Sequence, residues 1–163
     1  MKASDWVVHP THGVGRVVDL EVREFGAGPG QMYYRIAIHS GTLWVPVEGP
    51  PSGLRKLTAK RELARYRGVL RSRPTTLAAD HRERRTDLLE RLKDSSFETK
   101  CEVVRDLTAF GWHRPLNESS ALLLRTTRDE LLAEWAAAEE QSVAEAAREV
   151  DSLLLEGRKA HDK

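Results

Sequence analysis

Cysteine is almost absent from this chain, since Cys101 is the only one among 163 residues. A single thiol excludes a disulfide framework within the chain. The sequence also lacks a basic, apolar and small-residue leader, and it lacks an apolar run of about eighteen residues. These absences argue against secretion and membrane spanning, and they predict a soluble, cytoplasmic protein.

Patterns for catalysis and metal binding are lacking too. His9 and His12 lie close together in the sequence, but a structural zinc site needs about four ligands and no matching Cys or His pair completes one. No Ser, Cys or Asp lies in a recognisable nucleophile pattern. The glycines of residues 26–30 precede a strand pattern instead of opening a helix, as a dinucleotide-binding loop does. The sequence therefore predicts no enzyme activity, cofactor, metal or small-molecule substrate.

The formal net charge is only +1, but the charges are sorted along the chain. Residues 54–85 contain eleven Lys or Arg against three acidic residues, whereas the rest of the C-terminal half is net acidic. Polyanions respond to local positive potential more than to total charge. The basic stretch is compatible with a nucleic-acid contact and also with a solvated helix surface.

The character of the sequence changes near residue 57. Upstream lie most of the glycines and prolines, and alternating patterns predict strands at residues 6–8, 14–22, 33–38, 42–47 and 53–57, with a hairpin loop at residues 25–30. Pro46 lacks an amide donor, which places its strand at an edge or a bulge. We predict a small SH3-like or Tudor-like β-barrel over residues 1–57.

Residues 58–163 have the patterns of an all-α domain, so the predicted fold class is α+β, arranged as two domains. The first helix begins with a cap at Thr58 and ends near residue 71, the second covers about residues 77–92, and the third covers residues 97–110. Asn117 and Ser142 are predicted to cap the last two helices. Apolar positions at helical spacing are typical of a bundle core: Phe97, Cys101, Val104, Thr108 and Trp135.

Short segments occur in a characteristic order. DWVVHP at residues 5–10 is followed by HGVG at 12–15, Tyr34, VPVE at 45–48 and GLR at 53–55. This order resembles the amino-terminal domain of the CarD family of bacterial transcription regulators, a domain type that also occurs in transcription-repair coupling factors. The resemblance identifies residues 9–13 as a barrel turn. CEVVRDL at 101–107 and the helix from Asn117 to Trp135 resemble the helical carboxy-terminal domain of the same family.

The resemblance implies a non-enzymatic factor that docks its barrel, strand to strand, on the β subunit of bacterial RNA polymerase. The helical domain then reaches promoter DNA near the upstream edge of the bubble. In the family, a basic residue of the second strand and the residue before the Val-Pro motif contact the polymerase. These positions match Arg23 and Trp44, which Val45 and Pro46 follow. An exposed arginine with an aromatic is also typical of an interface hot spot, and a barrel-core position for Trp44 is the alternative.

The sequence departs from the family at the DNA contact. Family members carry a Trp-x-Arg-Arg-Tyr segment at the start of a helix, whose tryptophan wedges into the minor groove beside the unpaired bases. An ungapped alignment puts His81, Arg82, Arg84 and Arg85 in this segment, and a four-residue shift puts Leu77 at the tryptophan position. An imidazole stabilises an unstacked base step less well than an indole does, because its ring is smaller. We therefore expect the arginines to replace part of the wedge by contacting phosphate.

Two functions stay open at this point. The first is a polymerase-binding regulator that modulates the open promoter complex, which the basic stretch favours. The second is an adaptor whose helical domain binds a protein instead of DNA, which the missing tryptophan favours. An exposed surface shared by Arg82, Arg84 and Arg85, without acidic neighbours, would favour the first.

Overall fold

A computed structural model describes residues 1–26, 28–50 and 53–162 of the chain. Ala27, in the predicted hairpin loop, lies outside the described residues. The chain divides into two compact units, Met1–Leu57 and Thr58–Lys163. The first unit is a five-stranded antiparallel sheet and the second is helical, which confirms the predicted fold class.

The sheet has the strand order β4-β3-β2-β1-β5. Its strands are β1 (Trp6–His9), β2 (Gly13–Arg23), β3 (Gln31–Ile38), β4 (Gly41–Pro46) and β5 (Arg55–Lys56). All five predicted strands are confirmed, although β5 is only two residues long. Alternation along the strands buries one set of side chains, and the core of this unit consists of Val7, Val17, Tyr34, Ile36 and Val45.

The turn between β1 and β2 is structural. The backbone N–H groups of Thr11 and His12 donate to Nδ1 of His9 at 3.1 and 3.2 Å. Burial, followed by the nearby His12, lowers the pKa of His9, so its Nδ1 stays an acceptor at neutral pH. Gly13 has a φ of +77°, which favours glycine. Gly15 permits close strand contact, since a Cβ there would lie 2.7 Å from Ile36 Cγ2.

The helical unit begins with a single 3-10 turn at Lys60–Glu62. Five helices follow: α1 (Leu63–Arg71), α2 (His81–Leu92), α3 (Phe97–Phe110), α4 (Glu118–Glu139) and α5 (Val143–His161). The predicted bounds of α3 are confirmed. The predicted caps Asn117 and Ser142 are confirmed as well, because their side chains accept from the backbone N–H three residues on.

Two predicted helix starts are wrong. Thr58 does not cap a helix, because its backbone N–H and hydroxyl both donate to the buried Glu134 carboxylate of α4, at 3.1 and 2.6 Å. The second helix starts at His81 instead of residue 77, because Asp80 is its cap and accepts from the Glu83 N–H. Residues 72–80 are thus a non-helical linker between α1 and α2.

The bundle core joins α1, α3, α4 and α5. Phe97, Cys101, Val104 and Trp135 are buried in one cluster, as predicted, whereas Thr108 is only half-buried. Burial raises the pKa of the Cys101 thiol, and nearby carboxylates raise it further. A buried thiol of this kind is chemically inert. None of the helices in the described ranges combines the length and hydropathy that a membrane span requires.

Candidate functional site

Two of the predicted contact residues of the sheet, Arg23 and Trp44, come together on one face. Cross-strand pairing places Trp44 of β4 opposite Arg35 of β3. The indole Nε1–H donates to the Glu21 carboxylate of β2 at 2.6 Å, and the Arg23 guanidinium lies 4.7 Å from the Trp44 ring centroid. Arg23 and Trp44 therefore form a cation–π pair, so two positions distant in sequence make one surface feature.

An exposed aromatic residue, Phe25, extends this pair. Its ring centroid lies 6.2 Å from that of Trp44 and 5.0 Å, edge to face, from that of Tyr33. The Arg23 guanidinium lies 5.4 Å from the Phe25 ring, and Phe25 is 54% exposed. We call Arg23, Phe25 and Trp44 the aromatic–arginine patch. Sequence reasoning missed Phe25, although an aromatic at the edge of a glycine-rich loop was an available signal.

The neighbours Trp44 and Val45 point to opposite sides of the sheet. Val45 is 2% exposed and belongs to the core cluster with Ile36. Successive side chains of a strand alternate between faces, so the half-buried Trp44 lies away from that core. The core position considered for Trp44 is thus wrong. The Val45 side chain, predicted as a polymerase contact, is unavailable to a partner because it fills the core.

Strand β4 forms one edge of the sheet. The Val47 N–H donates to the Met32 carbonyl at 3.0 Å, which sets the alternation of the β3–β4 ladder. It follows that the backbone groups of Trp44 and Pro46 point away from β3, toward the free edge. The missing N–H of Pro46 therefore costs the ladder no bond, as its predicted edge position requires.

Three of the four predicted DNA contacts are exposed at the start of α2. His81 is the first residue of the helix, and Arg82 and Arg85 also lie on the surface. Nη1 of Arg85 donates to the Ser119 hydroxyl of α4 at 2.9 Å. The exposed Glu83 lies in the same turn, so the surface is not free of acidic neighbours.

The fourth predicted DNA contact, Arg84, is buried and needs correction. It is only 3% exposed, because Arg84 lies on the same side of α2 as Leu88, one turn later. Its guanidinium donates to the Ser120 hydroxyl at 3.1 Å and to the Ala78 carbonyl at 3.0 Å. The same group lies 4.4 Å from the Phe110 ring centroid. Arg84 attaches α2 to the rest of the bundle, and the predicted surface of three arginines does not form.

The two candidates for the wedge position differ in their surroundings. His81 lies exposed at the helix start. Leu77 lies in the linker and packs, half-buried, against the cluster of Leu88, Val103 and Leu107. A side chain that contributes to a core is poorly placed to unstack bases.

An internal ion-pair network fixes the linker before α2, and sequence reasoning missed it. The buried Asp106 of α3 accepts from the Thr75 backbone N–H at 2.9 Å and from Arg91 at 3.1 Å. The adjacent Arg105 donates to Asp106 at 2.9 Å and to the Ser72 hydroxyl at 2.8 Å. The signal was an Arg-Asp pair on a helix whose neighbouring positions are apolar. The network fixes the path of the chain that leads to the start of α2.

Metal binding has no candidate site in the described ranges, since no group of three or more His, Cys, Asp or Glu is arranged to hold an ion. The pair His9 and His12, with ring centroids 4.8 Å apart, stands in the turn described above.

Comparison with protein families gives one match in each unit. Residues 1–58 match the model of the CarD-like/TRCF RID domain. Residues 66–151 match the model of the CarD C-terminal domain. The second match alone covers more than half of the chain, and the two occur in the expected order. The chain belongs to the CarD family, and its two domains are those of an RNA polymerase-interacting transcription regulator.

Proposed function

We propose that this regulator, which is not an enzyme, binds the β subunit of bacterial RNA polymerase through its sheet and contacts promoter DNA, near the upstream edge of the bubble, through the start of α2. The observation that carries the proposal is the aromatic–arginine patch beside the free edge of β4. This part of the sheet combines two features by which proteins bind one another.

The first feature is the edge itself. An exposed strand edge accepts an added strand through main-chain hydrogen bonds. The outward backbone groups of Trp44 and the carbonyl of Pro46 are available for this purpose. Because Pro46 offers no N–H, an added strand forms fewer bonds at that end, and the side-chain patch then supplies the remaining specificity.

The second feature is the patch. Arginine and tryptophan are enriched among the residues that dominate binding energy at interfaces. The Arg23 side chain is 44% exposed, so it can bind a carboxylate of a partner while keeping its contact with Trp44. The Glu21 carboxylate holds the indole in place through the 2.6 Å hydrogen bond, which lowers the entropy that binding would otherwise cost.

The test is a calorimetric titration of a β-subunit fragment with the full chain and with Arg23→Glu. We expect Arg23→Glu to weaken binding at least about tenfold, as charge reversal at a hot spot does, while folding stability falls by only about 1 kcal/mol, because the exposed contacts with Trp44 and Glu21 are lost. Arg16→Glu is the matched control, because Arg16 also lies on β2 and over a tryptophan, 5.6 Å from the Trp6 ring. Equal affinities for Arg23→Glu and the wild type would refute the assignment.

The proposed DNA surface consists of His81, Arg82 and Arg85. All three lie in the first turns of α2, where the helix dipole adds partial positive charge. Such a surface contacts phosphate without reading sequence. It predicts weak binding of duplex DNA, with a log affinity that falls by about 0.9 per contact for each unit of log salt.

Duplex binding by the full chain, followed by fluorescence anisotropy over a salt series, tests this surface. We expect the double variant Arg82→Ala/Arg85→Ala to bind less tightly, with a salt slope shallower by about 0.9 for each lost contact. The control is Arg125→Ala/Arg148→Ala, which removes the same charge from exposed positions of α4 and α5. A salt slope unaffected by the α2 substitutions would contradict the proposed surface.

The burial of Arg84 favours a second candidate, the adaptor whose helical domain binds a protein. The start of α2 then has two exposed arginines, Arg82 and Arg85, where three were expected, and it has no tryptophan. In that case the full chain would bind β subunit but no duplex DNA, even at low salt.

A further inference from the structure

A cleft of about 430 Å³ lies in the helical unit, between the linker before α2, the loop after α3 and the end of α5. Its lining includes Arg73, Asp106, Phe110, Trp112, Arg114 and Asp162. The volume falls within the range of about 300–1,000 Å³ that is usual for small-ligand sites. The cleft thus has room for a ligand.

The charges in the cleft leave a positive surplus. Asp106 is paired with Arg91 and Arg105, and Asp162 is bonded to His113 at 2.6 Å and to Arg158 at 3.3 Å. Both carboxylates therefore have cationic or hydrogen-bonding partners.

Two arginines of the cleft have no carboxylate partner among the described residues. Within the described residues neither Arg73 nor Arg114 forms an ion pair, and Arg73 is exposed. Unpaired guanidinium groups at a concave site bind planar or tetrahedral oxyanions, phosphate above all. The cleft is therefore suited to an anion.

An aromatic side chain adds a second kind of contact. Phe110 is already covered by Arg84 and Arg114, at 4.4 and 4.8 Å from its ring centroid. Among the described residues, Trp112 has a cationic neighbour in Arg158 alone, 5.4 Å from its ring centroid, and this half-buried indole lines the cleft. A planar heterocycle stacks well on an indole.

The cleft wall is held in place before any ligand arrives. The Thr75 backbone N–H is bonded to Asp106, and nearby Ser72 is bonded to Arg105. These bonds hold the backbone of the linker that contributes Arg73, so a ligand has to order the Arg73 side chain but not its backbone.

We propose that this cleft binds a nucleoside phosphate, whose base stacks on Trp112 and whose phosphate is bound by Arg73 and Arg114. The ligand is either a free nucleotide or one unpaired nucleotide within a single strand. In the second case the inference rests on the proposed function, because the linker lining the cleft leads directly into the DNA surface of α2.

The test uses the full chain with two probes, a short labelled single-stranded oligonucleotide followed by anisotropy and adenosine monophosphate followed by calorimetry. We expect Trp112→Leu to weaken strand binding at least about fivefold. We expect Arg73→Ala to make the salt slope shallower by about 0.7. Arg148→Ala is the control, since it lies on α5 about 20 Å from the cleft end of that helix and should leave both values unchanged.

Three outcomes decide the question. Binding of both probes, weakened by Trp112→Leu and Arg73→Ala, supports a site for free nucleotide. Binding of the strand alone, weakened by the same variants, supports an unpaired nucleotide as the ligand. The absence of binding to both probes, or binding that neither variant alters, overturns the proposal.

Duplex binding by the same samples separates this inference from the proposed function. If the duplex depends on Arg82 and Arg85 while the strand ignores Trp112 and Arg73, only the cleft proposal fails. If the strand depends on Trp112 and Arg73 while the duplex ignores Arg82 and Arg85, only the proposed DNA surface fails.

Discussion

Arg84→Ala is predicted to destabilise the helical domain, because Arg84 is buried near the start of α2, where the neighbouring Arg82 and Arg85 are exposed. The substitution removes the hydrogen bond to Ser120 and the contact with the Phe110 ring, and it leaves the Ala78 carbonyl without its donor. It also removes the stem that packs beside Leu88. The attachment of α2 to α3 and α4 then depends on that leucine, the Arg91–Asp106 ion pair and the Arg85–Ser119 hydrogen bond.

The magnitude follows from these contacts. A hydrogen bond to a charged group contributes about 1.5–3 kcal/mol, and a desolvated cation–π pair contributes about 2 kcal/mol. Rehydration of the freed carbonyls and relief from burying a charge offset part of this sum. We expect a net loss of about 2–4 kcal/mol in the free energy of unfolding. At about 4 °C per kcal/mol for a domain of this size, Tm falls by about 8–16 °C.

Thermal melts followed by far-ultraviolet circular dichroism report on this change, since the helices lie in the second unit. Arg84→Lys keeps the charge but lacks the planar guanidinium group with its several donors. Its Tm should therefore lie between those of the wild type and Arg84→Ala. Arg82→Ala, on the side of α2 opposite Arg84, should melt like the wild type. A Tm for Arg84→Ala equal to that of Arg82→Ala would refute the reasoning, and a simultaneous loss of duplex binding would assign Arg84 to DNA after all.

Two further predictions concern His81 and Cys101. His81→Trp should lengthen the lifetime of promoter open complexes, because an indole at the exposed start of α2 stacks on an unstacked base step better than an imidazole does. If the lifetime is unchanged at saturating protein while Leu77→Trp lengthens it, the wedge position lies in the linker. Cys101 should react with a thiol reagent only as fast as the protein unfolds. Burial raises the pKa of its thiol in the folded state, so the unfolded chain loses this proton first and stability falls as pH rises above the ordinary thiol pKa of about 8.5; fast labelling under native conditions would contradict its burial.

Much of the fold was readable from local patterns. The alternation around residues 33–38, the edge position of Pro46 and the caps Asn117 and Ser142 depend on a few neighbouring residues, and the structure confirms them. The start of α2 also has a local signal, the Asp80–Glu83 spacing of a capped helix. The prediction placed the start at the apolar Leu77 instead. Thr58 could not be assigned correctly, because its partner Glu134 lies 76 residues away.

The candidate sites were less predictable. A charge run does not reveal which arginine faces inward, although the spacing of Arg84 to Leu88 would have shown it on a helical projection. The stacking of Arg23 on Trp44 depends on strand register, which no short motif encodes. The cleft around Trp112 joins three segments that are distant in sequence, and only their packing creates it.

The arrangement of α1 against α5 has a consequence for the order of folding during synthesis. The sheet can complete its core once residue 57 has left the ribosome, because every member of that core lies upstream. Leu63 and Leu70 of α1, in contrast, are buried in a cluster with Val150 and Leu154 of α5. At a synthesis rate of about 5–20 residues per second, α1 waits roughly 5–20 s for its partner. The part of α1 that packs on α5 is solvent-accessible throughout that interval, so the nascent helical domain is the part of this chain that a ribosome-associated chaperone would protect.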